Sequence, residues 1–382
     1  MSVRAVLLVV DALGWELARG APGFARSLPH RRRLDTVLGF STGALPTLFT
    51  GRMPGEHGRW VMYRRGDETG CFRGFGALRW VPRRARESWR VGRLLHRLVE
   101  GRGVHGYFQL YEVPRPLLER FDLPERGDIF APGGLPADSL WDSIARRGLP
   151  WARWDWRTTE SRAMADLERR LADGHERLLV LYTADLDALL HREGSRGTGV
   201  RERLARYSAW LDRLAALAAG RGDTLWLYLV SDHGMVDVTR HADVMARLAP
   251  LATRMPRDYL AFFDSTMARF WWSEAASREP VRRSLEGLPG RWLDRETLDR
   301  LGCRFADSGY GEDVFLLDPG VLLLPSFMGS APVAAMHGYD PSHPDMAALL
   351  YSNRPVPERV SRLADVRDWL ETELDALGCE AA

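Results

Sequence analysis

Apolar residues along this chain follow two alternating rhythms. Short apolar runs rich in Val and Leu stand at residues 5–10, 178–182 and 225–230, with an Asp or Ser close behind each. Runs that are apolar on both faces predict strands buried within a mostly parallel sheet. Between them, residues 138–146, 159–171, 201–219 and 363–377 carry apolar side chains at helical spacing opposite charged faces, the mark of amphipathic helices. Strand and helix alternation of this kind predicts an α/β sandwich. Two stretches break the rhythm. Residues 59–157 alternate weakly, are rich in arginine and hold seven of the fourteen tryptophans (Trp60, Trp80, Trp89, Trp141, Trp151, Trp154 and Trp156); they predict a cap or an elaborated edge. Residues 246–324, with ARFWW and VFLLDPGVLLLP, predict a second insertion containing a hairpin. With no repeats and no obvious linker, residues 1–382 are expected to form one domain interrupted by these insertions.

The 382 residues, 45% of them hydrophobic, suffice for a sizeable core. The 53 basic and 51 acidic residues leave a formal charge of +2, so no net field argues for nucleic acid or an anionic membrane. Every basic residue is arginine, which excludes a Schiff-base lysine and a lysine-dependent phosphate loop. Cys71, Cys303 and Cys379 are widely spaced and odd in number, so no disulfide framework is expected. The amino-terminal apolar run leads into Asp11 without a small-residue cleavage site and reads as a strand, not a signal peptide. No run approaches the roughly twenty apolar residues of a membrane span, and a cytoplasmic protein is expected.

Acids and imidazoles stand near the predicted strand ends: Asp11 in VVDALG, Asp187 and His191 in DLDALLH, Asp232 and His233 in SDHGM, with His337 in MHGYD. In a parallel α/β sheet, side chains at neighbouring strand ends meet in one crevice. The i, i+4 spacing of Asp187 and His191 places both on one helical face. Taken singly, each has a plainer reading: an Asp after a strand is a frequent helix cap, and His-Gly a frequent turn. Together with a hydroxyl at Ser41 or Thr42, three carboxylates and three imidazoles match a two-metal site with a nucleophile. A helix over residues 44–49 would aim its amino terminus at a bound phosphate, although Ser41 could simply cap it. The nitrogen and oxygen donor set suits zinc, with manganese the alternative.

The segments VVDALG, FSTGALPTLFTGRMPGEHG, DLDALLH, SDHGMVDV and MHGYDPSHPDM span nearly the whole chain. In that order they resemble the alkaline phosphatase superfamily, and its type I phosphodiesterase/nucleotide pyrophosphatase branch in particular. The resemblance implies a three-layer sandwich, a mostly parallel central sheet with helices on both faces and cap-like insertions. It implies two divalent metal ions, one held by Asp11, Ser41, Asp232 and His233, the other by Asp187, His191 and His337. Aligning on Thr50-Gly51 places Ser41 at the nucleophile position, with Thr42 as the fallback; His57 is expected to support the loop. The branch often carries an Asn shortly after the His-Gly, where Arg59, Trp60, Val61 and Met62 stand here. STGALP also lacks the sulfatase signature. The expected reaction is hydrolysis of a small phosphodiester or phosphomonoester through a covalent Ser41 intermediate. A phosphotransferase or phosphomutase, or a phosphonate hydrolase, is the alternative on the same scaffold, and an inactive binding scaffold a more remote one. Arg52, Arg59 and Arg240 are candidate phosphate grips, and the Trp-rich segment either stacks on a substrate or packs cap against core.

Overall fold

A computed structural model of the chain describes residues 2–67 and 69–379. The elements that build the site are, in chain order, β1 (Val3–Val10), β2 (His30–Leu34), α1 (Ser41–Thr50), α2 (Leu140–Arg147), β3 (Trp151–Trp154), α3 (Glu160–Asp173), β4 (Leu178–Thr183), α4 (Asp185–Glu193), α5 (Thr198–Gly220), β5 (Thr224–Val230), β6 (Tyr259–Phe263), β7 (Met267–Trp272), β8 (Gly290–Leu293), β9 (Asp313–Leu317), β10 (Ala348–Ser352) and α6 (Asp365–Cys379). Six strands form the main sheet in the order β2-β10-β5-β1-β4-β3. β1 lies between β4 and β5 and is parallel to both, while β10 runs antiparallel to β5 and β2.

The alternation of side chains along β1 divides the core into two layers. Val6, Leu8 and Val10 face a cluster with α3, α4 and α5, whose buried residues include Leu167, Leu190 and Leu211. Ala5, Leu7 and Val9 face a second cluster with α1, α2 and α6, including Leu48, Trp141 and Trp369. Because β1 is buried on both faces, its residues 5–10 read as the unbroken apolar run AVLLVV. Each fully buried Val or Leu contributes about 1.5–3 kcal/mol relative to exposure, and the two layers hold the sheet ends rigidly. The α/β sandwich with helices on both faces is as expected.

The expected cap over residues 59–157 needs trimming. β3 lies inside that stretch, yet pairs in parallel with β4 as the edge strand of the main sheet. α2 likewise packs its Leu140, Trp141 and Ile144 onto the core. Only the preceding part, rich in short 3-10 turns, is an addition to the sandwich. The second insertion contains the expected hairpin, β6 against β7, within an antiparallel sheet ordered β6-β7-β9-β8. The two insertions share one core: Tyr63, Phe72 and Phe121 from the first pack with Phe262, Phe270 and Phe315 from the second. Arg269, fully buried, joins them by pairing with Asp264 at 2.7 Å and donating to the Tyr63 carbonyl at 2.9 Å.

Candidate active site

β1, β4 and β5 end almost level, with Val10 opposite Thr183 and Val9 opposite Val230. The residues that follow therefore emerge on one edge of the sheet. Asp11 leaves β1, and the next residue, Ala12, sits at φ 61°, a costly conformation for a residue with a Cβ. There its amide donates to Asp232 Oδ1 at 3.2 Å, and the His233 amide donates to the same oxygen at 3.0 Å. His233 donates from Nδ1 to the Gly234 carbonyl at 3.0 Å. A carbonyl only accepts, so Nδ1 carries a proton and Nε2 is the nitrogen turned toward the acids. That Nε2 lies 3.4 Å from Asp11 Oδ1 and 3.3 Å from Asp232 Oδ2.

The second group has the same design. α4 begins just past β4 and carries Asp187 and His191 on one face. His191 donates from Nδ1 to the Ala335 carbonyl at 2.8 Å, turning Nε2 toward Asp187 Oδ1 at 3.4 Å. His337 Nε2 is 3.6 Å from that oxygen, and the His337 ring stacks on His233 with centroids 3.9 Å apart. The stacked pair sets the two groups side by side, and Phe40 packs edge-on against His337.

Both groups suit a divalent cation. Within each trio one donor atom per residue lies within 4.8 Å of the others. Asp187 Oδ1, Asp232 Oδ2 and His337 Nδ1 are buried without a hydrogen-bond partner, and buried polar atoms are not left so without compensation. Burial, then the charges of Asp232 and Asp187, push the Asp11 carboxyl well above its usual range. Burial, then the neighbouring His233, hold His337 well below the usual histidine range, in the neutral form that metals take. Burial pushes Asp187 up, but the neighbouring rings of His191, His337 and His233 hold it at about 2. A divalent cation would satisfy these unpartnered atoms and offset the repulsion among the buried carboxylates.

Ser41 is the first residue of α1, so the helix starts three residues earlier than the expected 44–49. Ser41 does not cap it: Phe40 occupies the cap position with no side-chain bond, and its carbonyl accepts from the Gly43 and Ala44 amides at 2.8 and 3.0 Å. The Ser41 hydroxyl points instead into the first group, with Oγ 3.0 Å from His233 Nε2 and 3.3 and 3.4 Å from the Asp11 oxygens. Thr42 turns away and donates to the Trp60 carbonyl at 3.1 Å. The tight approach requires glycine twice. Gly39 sits at φ 114°, and a Cβ on Gly43 would lie 2.6 Å from the Trp60 carbonyl oxygen.

His57 stands outside both groups and supports the loop. It accepts the Arg59 amide at Nδ1, 3.1 Å, so its Nε2 donates to Thr47 Oγ1 at 3.0 Å; Thr47 in turn donates to the Gly43 carbonyl at 3.0 Å. Burial, then the Arg59 charge, lower His57 to about 3. Because its folded-state value lies below the unfolded one, the stability it contributes is present above about pH 6.5 and lost as pH falls toward 3. The expected loss is about 1.4 kcal/mol per pH unit over that window. Urea unfolding at stepped pH should show a shallower acid decline in His57→Gln, which retains a donor; equal slopes would refute this role.

The groups open into a cavity of about 480 Å³. Its walls come from the core (Ser41, Trp156, Tyr182), the cap (Met62, Tyr107, Tyr111, Phe130), and the end of the second insertion with the loop after it (Leu322, Leu323, Leu324, Met328). Within 59–62 only Met62 lines the cavity, and no arginine does among the described residues. Arg59 is buried behind, beside Thr42 and Glu125. Of the seven tryptophans in 59–157, only Trp156 faces the cavity. A wider groove of about 1400 Å³ along α5 contains none of the six acid and imidazole residues. Two tyrosine contributions escaped the sequence reading. Tyr182 donates to Asp11 Oδ2 at 2.6 Å, and its signal is slight: the one phenol in the run LLVLYT. Tyr107 and Tyr111 both line the cavity, with Tyr111 at φ 45°, and nothing in their spacing marks them.

The profile of the type I phosphodiesterase / nucleotide pyrophosphatase family matches residues 5–287. No curated protein sequence matches the chain. Among solved structures, human ectonucleotide pyrophosphatase / phosphodiesterase 5 is similar at 15% identity and TM-score 0.66, over 97% of this chain and 95% of its own. The murine protein of the same name is similar at 15% identity and TM-score 0.65. Its inactive variant in complex with AMP has 15% identity and TM-score 0.64; each murine match covers 98% of this chain and 95% of the other. At that identity the likeness is one of fold, a sandwich of the alkaline phosphatase type. The family profile, spanning most of the chain, carries more: the chain belongs to the type I phosphodiesterase/nucleotide pyrophosphatase family.

Proposed function

We propose that the chain hydrolyses a small phosphodiester with Ser41 as nucleophile, using two divalent ions. One is held by Asp11, Asp232 and His233 with the Ser41 oxygen, the other by Asp187, His191 and His337. The observation that carries this reading is the Ser41 hydroxyl at the start of α1, 3.0 Å from His233 Nε2 and facing Asp11. When bound, the ions, zinc by the donor set and manganese as the rival, would favour the Ser41 alkoxide and offset charge on the phosphoryl oxygens.

The chain's own residues supply the rest. Tyr182 anchors Asp11 Oδ2, and the backbone bonds at Nδ1 of His233 and His191 fix both rings. Ser41 Oγ forms a bond to phosphorus as the bond to the leaving alcohol breaks, the serine proton ending on the departing alcohol. Water then attacks phosphorus, the Oγ–P bond breaks, Ser41 regains a proton from that water, and the phosphomonoester leaves. The amino terminus of α1 presents its amides and dipole toward the phosphoryl group.

The cavity supports a diester over a monoester. A monoester brings nearly two negative charges at neutral pH, and beyond the two groups the walls offer apolar and aromatic side chains with Glu125 and Asp264, and no guanidinium among the described residues. A diester carries one charge and a second organic group that those walls can cover. The AMP complex of the murine relative makes a nucleotide-type diester a first substrate to try, with Tyr107 and Trp156 as its aromatic neighbours. Assayed with Zn or Mn added back, kcat/KM for bis-p-nitrophenyl phosphate is expected to exceed that for p-nitrophenyl phosphate by about tenfold or more, one desolvated charge being worth over 1.4 kcal/mol. The reverse preference would refute the diester assignment. A large yield of new ester with competing alcohols would point to transfer in place of hydrolysis.

A further inference from the structure

The near-zero net charge conceals one strongly polarised face. The cap helix over Trp89–Glu100 is anchored by Leu95 and Val99, both buried in the shared insertion core. Its other side leaves Trp89 66%, Leu94 57% and Leu98 43% exposed, and Trp80, just upstream, is 79% exposed. Among the described residues these are four of the five exposed large hydrophobic side chains. Leu94 and Leu98 stand one helical turn apart. Between residues 79 and 100 the chain holds seven arginines against two glutamates. Arg83, Arg84, Arg90, Arg93 and Arg97 are all exposed, and Arg79 and Arg93 lie over the Trp80 and Trp89 rings at 5.1 and 5.5 Å.

We infer that this face seats the protein on an anionic lipid surface. Buried Leu95 and Val99 hold the helix flat against the cap, the orientation of an interfacial helix. Tryptophan rings settle at the headgroup level. Leucines reach the acyl boundary, and arginines meet acidic headgroups while their stems stay along the apolar surface. Nucleic acid would engage the arginines and tryptophans but gain nothing from two exposed leucines. The inference is independent of the chemistry at Ser41.

Co-sedimentation of the full chain with vesicles tests it, comparing pure phosphatidylcholine with a mixture about one-third phosphatidylglycerol. Binding is expected to be at least about tenfold stronger to the anionic vesicles, to weaken with salt and to shift tryptophan emission to the blue. Leu94→Ser/Leu98→Ser and Trp80→Ser/Trp89→Ser should each lower it severalfold, with far-UV dichroism unchanged, because these side chains pack against little. No sedimentation, or equal sedimentation with both vesicle types, would overturn the proposal. So would anionic binding that survives both double substitutions and is matched by heparin, which would leave only an unspecific polyanion patch.

Discussion

Replacing Ser41 by alanine is expected to lower kcat for bis-p-nitrophenyl phosphate by about 10³-fold or more, the scale on which loss of a nucleophile is felt. The effect follows from position. Ser41 Oγ is the one hydroxyl at the start of α1 that faces His233 and Asp11. Thr42, its neighbour, spends its hydroxyl on the Trp60 carbonyl, so Thr42→Ala should cost about tenfold or less, through a single lost hydrogen bond. The exposed consequence of Ser41→Ala for stability is small, since no cap is lost. Steady-state assays of both variants decide the matter. A dead Thr42→Ala beside an active Ser41→Ala would reverse the assignment.

The second large effect is expected at Asp232. Its Oδ1 accepts two amides, from Ala12 and His233, while Oδ2 is buried and unpaired. Asp232→Asn retains an acceptor for the amides and removes the charge and one donor oxygen. Metal content should fall by about one ion per chain, and turnover by about 10³-fold, as expected when a ligand rather than its support is lost. Plasma mass spectrometry and kinetics on the same preparation check both. Unchanged metal content with unchanged turnover would remove Asp232 from the site.

How legible this was in the sequence depended on burial. β1, β4 and β5 are covered on both faces, so LLVV, LLVLYT and LWLYLV stand out as runs, and the acids past their ends were read with them. The amphipathic α3 and α5 were legible for the same reason. What composition obscured was β3: WARW shares the Trp and Arg texture of the cap, but as an edge strand it is only partly buried. Long-range pairing was not legible either. β10 enters between β2 and β5, far away in sequence, and the fusion of the two insertions through Arg269 and the Tyr63 carbonyl has no local signal. At the site, the acids and imidazoles near the strand ends announced themselves. Tyr182, Tyr107 and Tyr111 did not, because a tyrosine in an apolar run looks like core until its hydroxyl is located.

In the proposed reaction, the two groups flanking Ser41 hold two divalent ions without which no turnover occurs. The most direct measurement is metal stoichiometry of the chelator-stripped protein after Zn or Mn is added back, with melting temperature and hydrolysis of bis-p-nitrophenyl phosphate followed together. Two ions per chain are expected, with a rise in melting temperature because the folded groups bind and the unfolded chain does not, and with recovery of activity from near zero. A stripped protein that takes up no transition metal, melts at an unchanged temperature and hydrolyses the diester at its original rate would contradict the account.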